Sequence, residues 1–212
     1  VAHNGTISNV EELSNMVGGC SFTPQKSSDT LVAAQRLVSL ISEKGKFADA
    51  LSVLKNEMIG SYCFTFLSDD TSVYAARDPR GFRPLVLGKK TEGGTHIVAS
   101  ESSALSAVGA DLVRDVIPGE LIKFSKNGIE SEMFSKEKQR AHCSFEFTYF
   151  AHPSSKMEGA NIYLSRKNIG RFLAKKFPIK DADLVIPVPD SARPAALGYA
   201  QELGISFDEG LL

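Results

Sequence analysis

At Gly60 the hydrophobic period of this 212-residue chain changes. Before it, apolar residues recur three and four apart. After it come SYCFTFL, SVYAARD, RPLVLGK and THIVASE, short β-rich runs parted by Asp69-Asp70, Pro79-Arg80-Gly81 and Glu92-Gly93-Gly94. Helices grouped first and strands grouped second do not weave a parallel sheet, so this part reads as α+β, with the four runs as one antiparallel meander.

Ahead of that change, Asn9 followed three residues later by Glu12 predicts a helix start, with a short helix over 10–17 closed by Gly18-Gly19. Ser27-Ser28-Asp29 precede a longer helix in which Leu31, Ala34, Leu37, Val38 and Ile41 keep helical spacing and Gly45 lies beyond the end. A third helix is expected over 47–56. Behind the strands, a short helix near 102–108 precedes LVRDVI, ELIKFS and IESEMF, and Asn127-Gly128 between the last two is a hairpin signal.

The polar run SKEKQRAH at 135–142 reads as a linker, dividing the chain into 1–140 and 141–212. Past it come a helix around 161–177, a buried strand over 183–188, the loop Pro189-Asp190-Ser191-Ala192-Arg193, and a helix over 194–203 closed by Gly204. That order is the start of a parallel α/β unit.

Composition excludes several classes. With 42% apolar and 23% charged residues the chain is globular. A formal charge of −1 supplies no basic field for nucleic acid. No apolar run nears the roughly 20 residues of a membrane span, and no leader pattern is visible, so the expected compartment is the cytoplasm. Cys20, Cys63 and Cys143 are odd in number and far apart, which argues for reduced thiols and against a disulfide framework.

Five features bear on chemistry. Asn4 offers a side-chain NH2 and Gly5 an unshielded backbone N–H, a donor pair suited to an oxyanion, although Asn-Gly alone is by default a turn. Asp29 stands where a helix cap is wanted, with Ser28 an equal candidate; its alternative duty is to bind a substrate ammonium. The turn Arg77-Asp78-Pro79-Arg80-Gly81-Phe82-Arg83-Pro84 either grips an anion or holds a loop with Arg77 and Asp78 paired, and the structural reading leads. Asp190 and Ser191 lie between a buried strand and a helix, where ligands of open α/β sheets sit, though the loop is no P-loop. Cys143, ahead of SFEFTYF, is by default a small buried hydrophobe. Cys20 and Cys63 are assigned no chemistry.

In order, AHNGTISN, SSDT, RDPRGFRPLVLG, VASESSAL, RDVIPGE, CSFEFTYFAHP and VIPVPDS resemble the glutamine phosphoribosylpyrophosphate amidotransferase family, also called amidophosphoribosyltransferase, over nearly the whole chain. The resemblance implies an N-terminal-nucleophile glutaminase domain, an α/β/β/α sandwich of antiparallel sheets, followed by the start of a phosphoribosyltransferase domain. It implies that glutamine supplies ammonia, which displaces pyrophosphate from phosphoribosyl pyrophosphate to give 5-phosphoribosylamine, the first committed step of purine synthesis. Asn4 and Gly5 would then be the oxyanion donors, Asp29 the partner of the glutamine ammonium, and Asp190 with Ser191 the pyrophosphate loop. In some members the cysteine at the position of Cys143 ligates a structural 4Fe-4S cluster. Mg2+ is a family cofactor whose binding residues are expected outside this chain, and the full-length form is expected to be a homo-oligomer.

Departures accompany the matches. The family's nucleophile is an N-terminal cysteine in a C-G-I-x-G-type start, whereas this chain opens at Val1; it closes at Leu212, ahead of the acidic motif that holds ribose. The expectation is an internal fragment that does not turn over glutamine by itself. His152 and Ser154 stand where the family has Arg and Asp, and Leu31 where an acid is common. Three other readings stay open: a different class II amidotransferase such as glucosamine-6-phosphate synthase, a non-catalytic phosphoribosyltransferase-like regulator, and a degenerate interaction protein. VIPVPDS followed by a helix disfavours the first, and the lack of a basic patch disfavours the second.

Overall fold

The computed structural model describes residues 1–17, 28–179 and 181–211. They form two compact units, one of residues 1–85 and 116–142, the other of 86–115 and 143–211 among those described. The division expected at 140/141 falls close to the last passage between units, while 86–115 groups with the later part of the chain.

In the first unit, β1 (Ala2–Ile7), α1 (Val10–Asn15), α2 (Asp29–Lys44), α3 (Phe47–Glu57), β2 (Gly60–Leu67) and β3 (Val73–Arg77) come first in sequence. Asn9 precedes α1 without capping it. Its Oδ1 accepts from Ile59 N–H at 2.8 Å and its Nδ2 donates to Glu57 O at 2.8 Å, so Asn9 ties α1 to the exit of α3. Ser28 caps α2 by accepting from Leu31 N–H, and Gly45 ends that helix at φ +76°, a left-handed conformation glycine adopts without cost.

The four β-rich runs do not form one meander. β2 and β3 pair as expected, but β3 next pairs with β7 (Glu120–Ser125), which pairs with β8 (Gly128–Met133), giving the antiparallel order β1-β2-β3-β7-β8. β4 (Val86–Lys90) and β5 (His96–Ala99) pair in the second unit with β6 (Ala110–Asp115), in the order β5-β4-β6. The cause lies in the loop after β3. Arg77, 1% exposed, donates to the carbonyls of Arg83 (2.8 Å), Val116 (2.8 Å) and Gly81 (3.1 Å), while the Asp78 carboxylate accepts from the N–H groups of Arg80 and Phe82. Loop backbone satisfied this way needs no neighbouring strand, and pairing resumes only at Val86.

Helical spacing on α2 and α3 turns Ala33, Leu37, Leu40, Ala50, Leu51 and Leu54 onto one face of the five-stranded sheet. That sheet face answers with Tyr62, Phe64 and Phe66, alternate residues of β2, and with Tyr74 of β3, which stacks on Phe47 at 4.0 Å. Burying a side chain such as Phe64 stabilises by roughly 2–3 kcal/mol before ordering costs. Arg36 and Glu57 join the two helices through paired hydrogen bonds of 2.8 and 2.7 Å.

In the second unit α4 (Ser102–Ala107) lies on the three-stranded sheet with Leu105 against Gly88, where a Cβ would come within 2.7 Å of the leucine methyls. A π-helical turn over Glu146–Phe150 follows the passage from the first unit, and buried Arg166 donates to the carbonyls of Phe147 and Ala151 at 2.8 Å each. Behind it come the short hairpin β9 (Lys156–Met157) and β10 (Ala160–Asn161), then α5 (Ile162–Lys176), β11 (Leu184–Val185), α6 (Arg193–Leu203) and β12 (Ser206–Phe207). β11 and β12 pair in parallel around α6, the expected α/β unit, with a strand shorter than the 183–188 run suggested. His152 Nδ1 and Ser154 Oγ are 2.8 Å apart, so these two residues keep a mutual contact of their own.

Candidate functional site

His3-Asn4-Gly5 forms no turn. The tripeptide lies within β1, at one edge of the sheet, with Asn4 opposite Cys63 and Gly5 opposite Tyr62. Only glycine fits at position 5: φ is +156°, and a Cβ there would overlap the Ser61 carbonyl oxygen and lie 2.7 Å from His3 Nε2.

The direction of the Gly5 N–H follows from its neighbours. Ser8 N–H donates inward to Ile59 O at 2.8 Å, whereas Ile7 N–H turns outward to Asp29 Oδ2 at 3.1 Å. Alternation along the strand therefore points the Gly5 N–H to the same outer edge as that of Ile7. By the same period Asn4 and Thr6 project their side chains opposite to the face of Ile7, which enters the core.

Because Ser28 takes the capping role, Asp29 is released from it. Its Oδ1 accepts from Thr30 N–H at 2.7 Å and from the Thr30 hydroxyl at 3.3 Å; its Oδ2 accepts from Ile7 N–H and stands 3.8 Å from His3 Nδ1. The side chain is still 27% exposed, so a fixed carboxylate at the start of α2 keeps an open side toward solvent. Residues far apart in sequence thus meet at one edge: a carboxylate suited to an ammonium, and beside it a strand with an outward N–H and an adjacent amide side chain. His3 and Thr30, which carried no distinguishing pattern in the sequence, complete this corner. The signals available were the H of AHNGTISN and the T of SSDT.

The arginine-rich turn holds a loop, but through separate partners and not through the Arg77–Asp78 pair expected of it: Arg77 donates to carbonyls, Asp78 accepts from backbone N–H groups, and Arg80 Nε lies 3.2 Å from Glu137 Oε1. Burial pushes the Asp78 carboxyl above its ordinary range, against the lowering effect of the N–H groups of Arg80 and Phe82. Cys63 is buried and its Sγ lies 3.5 Å from the carbonyl oxygens of Arg83 and Pro84, the bonding of a structural thiol.

In the second unit Asp190 and Ser191 sit in the loop between β11 and α6. Asp190 is 82% exposed with Oδ1 3.3 Å from Arg193 Nη1, and no side chain caps α6. Arg193 Nε also lies 3.2 Å from Glu209 Oε2 as an ion pair, outside hydrogen-bonding geometry. Cys143 is a free thiol, 7% exposed. Among the described residues no group of three or more His, Cys, Asp or Glu side chains is gathered to hold a metal ion. Cys20 lies outside the described residues. No described helix is long and apolar enough to cross a membrane.

Residues 1–107 match the family model described as glutamine amidotransferase domain. Over its whole length the chain is 40% identical to the amidophosphoribosyltransferase of Archaeoglobus fulgidus and 38% identical to that of Bacillus subtilis, of which it covers 46% and 43%. Among solved structures, glutamine phosphoribosylpyrophosphate amidotransferase from B. subtilis complexed with ADP and GMP matches with a TM-score of 0.87 at 36% identity, over 99% of this chain and 45% of that one. A structure described as the allosteric regulatory enzyme of purine biosynthesis matches with a TM-score of 0.86 at 37% identity, over 99% of this chain and 44% of that one. The chain therefore spans just under half the length of these relatives, and its antiparallel sheets with their helices have the α+β glutaminase fold.

Proposed function

This chain belongs to the glutamine amidotransferase domain family, and from that premise we propose that the protein carrying it is an amidophosphoribosyltransferase. Glutamine gives up its amide nitrogen as ammonia, and ammonia displaces pyrophosphate from phosphoribosyl pyrophosphate to form 5-phosphoribosylamine. The observation that carries this reading is the meeting of Asp29 with the outer edge of β1, where its carboxylate accepts from Ile7 N–H two residues beyond Gly5.

Each group has one task. The Asp29 carboxylate, held by Thr30 and Ile7 and open on one side, receives the α-ammonium of glutamine. The Asn4 NH2 and Gly5 N–H donate to the amide oxygen as it gains negative charge in the tetrahedral intermediate, where such donors stabilise more than they do in the ground state. Neither Cys63 nor Cys143 is an attacking thiol, since both are buried as structural residues. At the second centre, the uncapped start of α6 with Ser191 receives the pyrophosphate of phosphoribosyl pyrophosphate, and Arg193 steadies Asp190 at its border.

The test is glutamine hydrolysis by the purified protein that carries this chain. Asn4→Ala is expected to slow it about 100-fold or more, the scale for losing one oxyanion donor. An unchanged rate would return Asn4 to a purely structural role.

A further inference from the structure

His3 is 98% buried by its side chain, yet its Nε2 has no hydrogen-bond partner. Its ring lies 4.7 Å from that of Phe64 and against the α-carbon of Gly5. A phenyl ring would fill this slot without stranding a ring nitrogen away from water, so the imidazole is unfavourable on the Nε2 side. What distinguishes it from phenyl is the other nitrogen. Nδ1 lies 3.0 Å from Thr30 Oγ1, and the Thr30 hydroxyl donates to Asp29 Oδ1. With that hydroxyl proton committed to Asp29, Oγ1 accepts and Nδ1 carries the proton, which fixes the tautomer as assigned from the network.

We infer that His3 is a positioning residue for glutamine: through Nδ1–H to Thr30 Oγ1–H to Asp29 Oδ1 it fixes the orientation of the carboxylate that receives the substrate ammonium. The inference rests on the role proposed above for Asp29. Backbone N–H groups already hold one lone pair on each oxygen, Thr30 N–H at Oδ1 (2.7 Å) and Ile7 N–H at Oδ2 (3.1 Å); the Thr30 hydroxyl at 3.3 Å takes a second lone pair of Oδ1, and by orienting that hydroxyl His3 sets which lone pairs are left for the open side. Because the chain ends at a binding group and not at the reacting amide, its loss weakens substrate binding and leaves the chemical step alone.

The experiment is steady-state glutaminase kinetics on the protein that carries this chain, with variants chosen by shape. His3→Phe keeps the packing against Phe64 and Gly5 but removes the donor to the Thr30 hydroxyl, and is expected to raise KM for glutamine about fivefold with kcat within about twofold, the scale of one neutral hydrogen bond. His3→Asn places an N–H donor where Nδ1 stood and is expected to restore KM to within about threefold. Thr30→Val, which breaks both links, should raise KM at least as much as His3→Phe, and the double variant should be no worse than Thr30→Val, since both break one relay. Partial unfolding cannot imitate this result, because inactive molecules lower apparent kcat and leave KM unchanged. An unchanged KM in His3→Phe beside a raised KM in Asp29→Asn overturns the positioning role alone. Multiplying effects of His3→Phe and Thr30→Val overturn it too. An unchanged KM in Asp29→Asn overturns the assignment of Asp29 and this inference with it.

Discussion

Arg77 and Asp78 are neighbours and both are buried, but burial acts on them in different ways. Arg77 spends donors on three carbonyls, so it is a charged brace; Arg77→Met would take that donor from Val116 O, leave Gly81 O to His142 and Arg83 O to the weak Cys63 thiol, and is expected to cost about 2–3 kcal/mol, read as a fall in Tm. Asp78 has a carboxyl raised by desolvation even though two backbone N–H groups favour its charged form. A folded value above the unfolded one means the folded state holds the proton more tightly. Its contribution is complete below the ordinary aspartate value of about 4 and is lost as pH climbs through the raised value. Stability should therefore fall across that window, and the fall should shrink in Asp78→Asn, measured by urea unfolding at a series of pH values; an identical slope in both proteins would refute it. The RDPRGFRP stretch advertised charge, and its position in a turn between strands made a structural duty legible, but the pairing of Arg77 with Asp78 expected there gives way to separate backbone partners. Which arginine is buried was not legible, since that depends on Val116, which arrives from much later in the chain.

Elements show where local pattern suffices and where it does not. α2, α3 and the β7–β8 hairpin were readable because their signals are local: helical spacing, Ser28 and Gly45 at the ends of α2, and Asn127-Gly128 at a turn. The partner of β3 was unreadable, because a strand's sequence states that it pairs but not with which neighbour. Close helix packing was likewise hidden in two glycines. α5 and α6 approach so nearly that a Cβ on Gly170 would strike the Ala195 carbonyl oxygen and one on Gly198 the Lys167 carbonyl oxygen. These are backbone atoms, which cannot move aside as a flexible side chain does. Gly170→Ala and Gly198→Ala are each expected to destabilise the pair by about 1–3 kcal/mol despite the better helix propensity of alanine, seen as faster amide exchange along α6. Slower exchange, the outcome propensity alone would give, would show that the helices separate without penalty.

On the scale of the whole molecule the chain passes between its two units at 85/86, 115/116 and 142/143, so neither unit is a continuous stretch of sequence. The polar run before the last passage has the irregular, exposed character of the linker expected there, but it is not loose. Glu137 meets Arg80, Arg140 Nη1 donates to Pro118 O at 3.3 Å, Ala141 N–H donates to Arg80 O at 3.0 Å, and His142 Nδ1 lies 2.9 Å from Gly81 O. Composition reported the solvent-facing side chains of 136–140 and was silent on these contacts, of which all but the one to Pro118 run to a loop more than fifty positions earlier. The strap makes a prediction about cutting. Trypsin sites at Lys136, Lys138 and Arg140 are exposed as side chains, yet cleavage needs the backbone to leave its partners, so its rate follows the free energy of local opening. The Arg80–Glu137 pair is mostly exposed and contributes about 0.5 kcal/mol, while the His142 bond contributes about 1 kcal/mol. Removing both in Arg80→Ala/His142→Ala should accelerate cleavage within 136–140 about tenfold, the factor that corresponds to about 1.4 kcal/mol. Arg80→Ala alone should account for roughly a twofold share of that gain. Cutting at the parental rate in the double variant would mean that the segment opens independently of the 77–83 loop, and the strap would be reduced to a linker lying beside it.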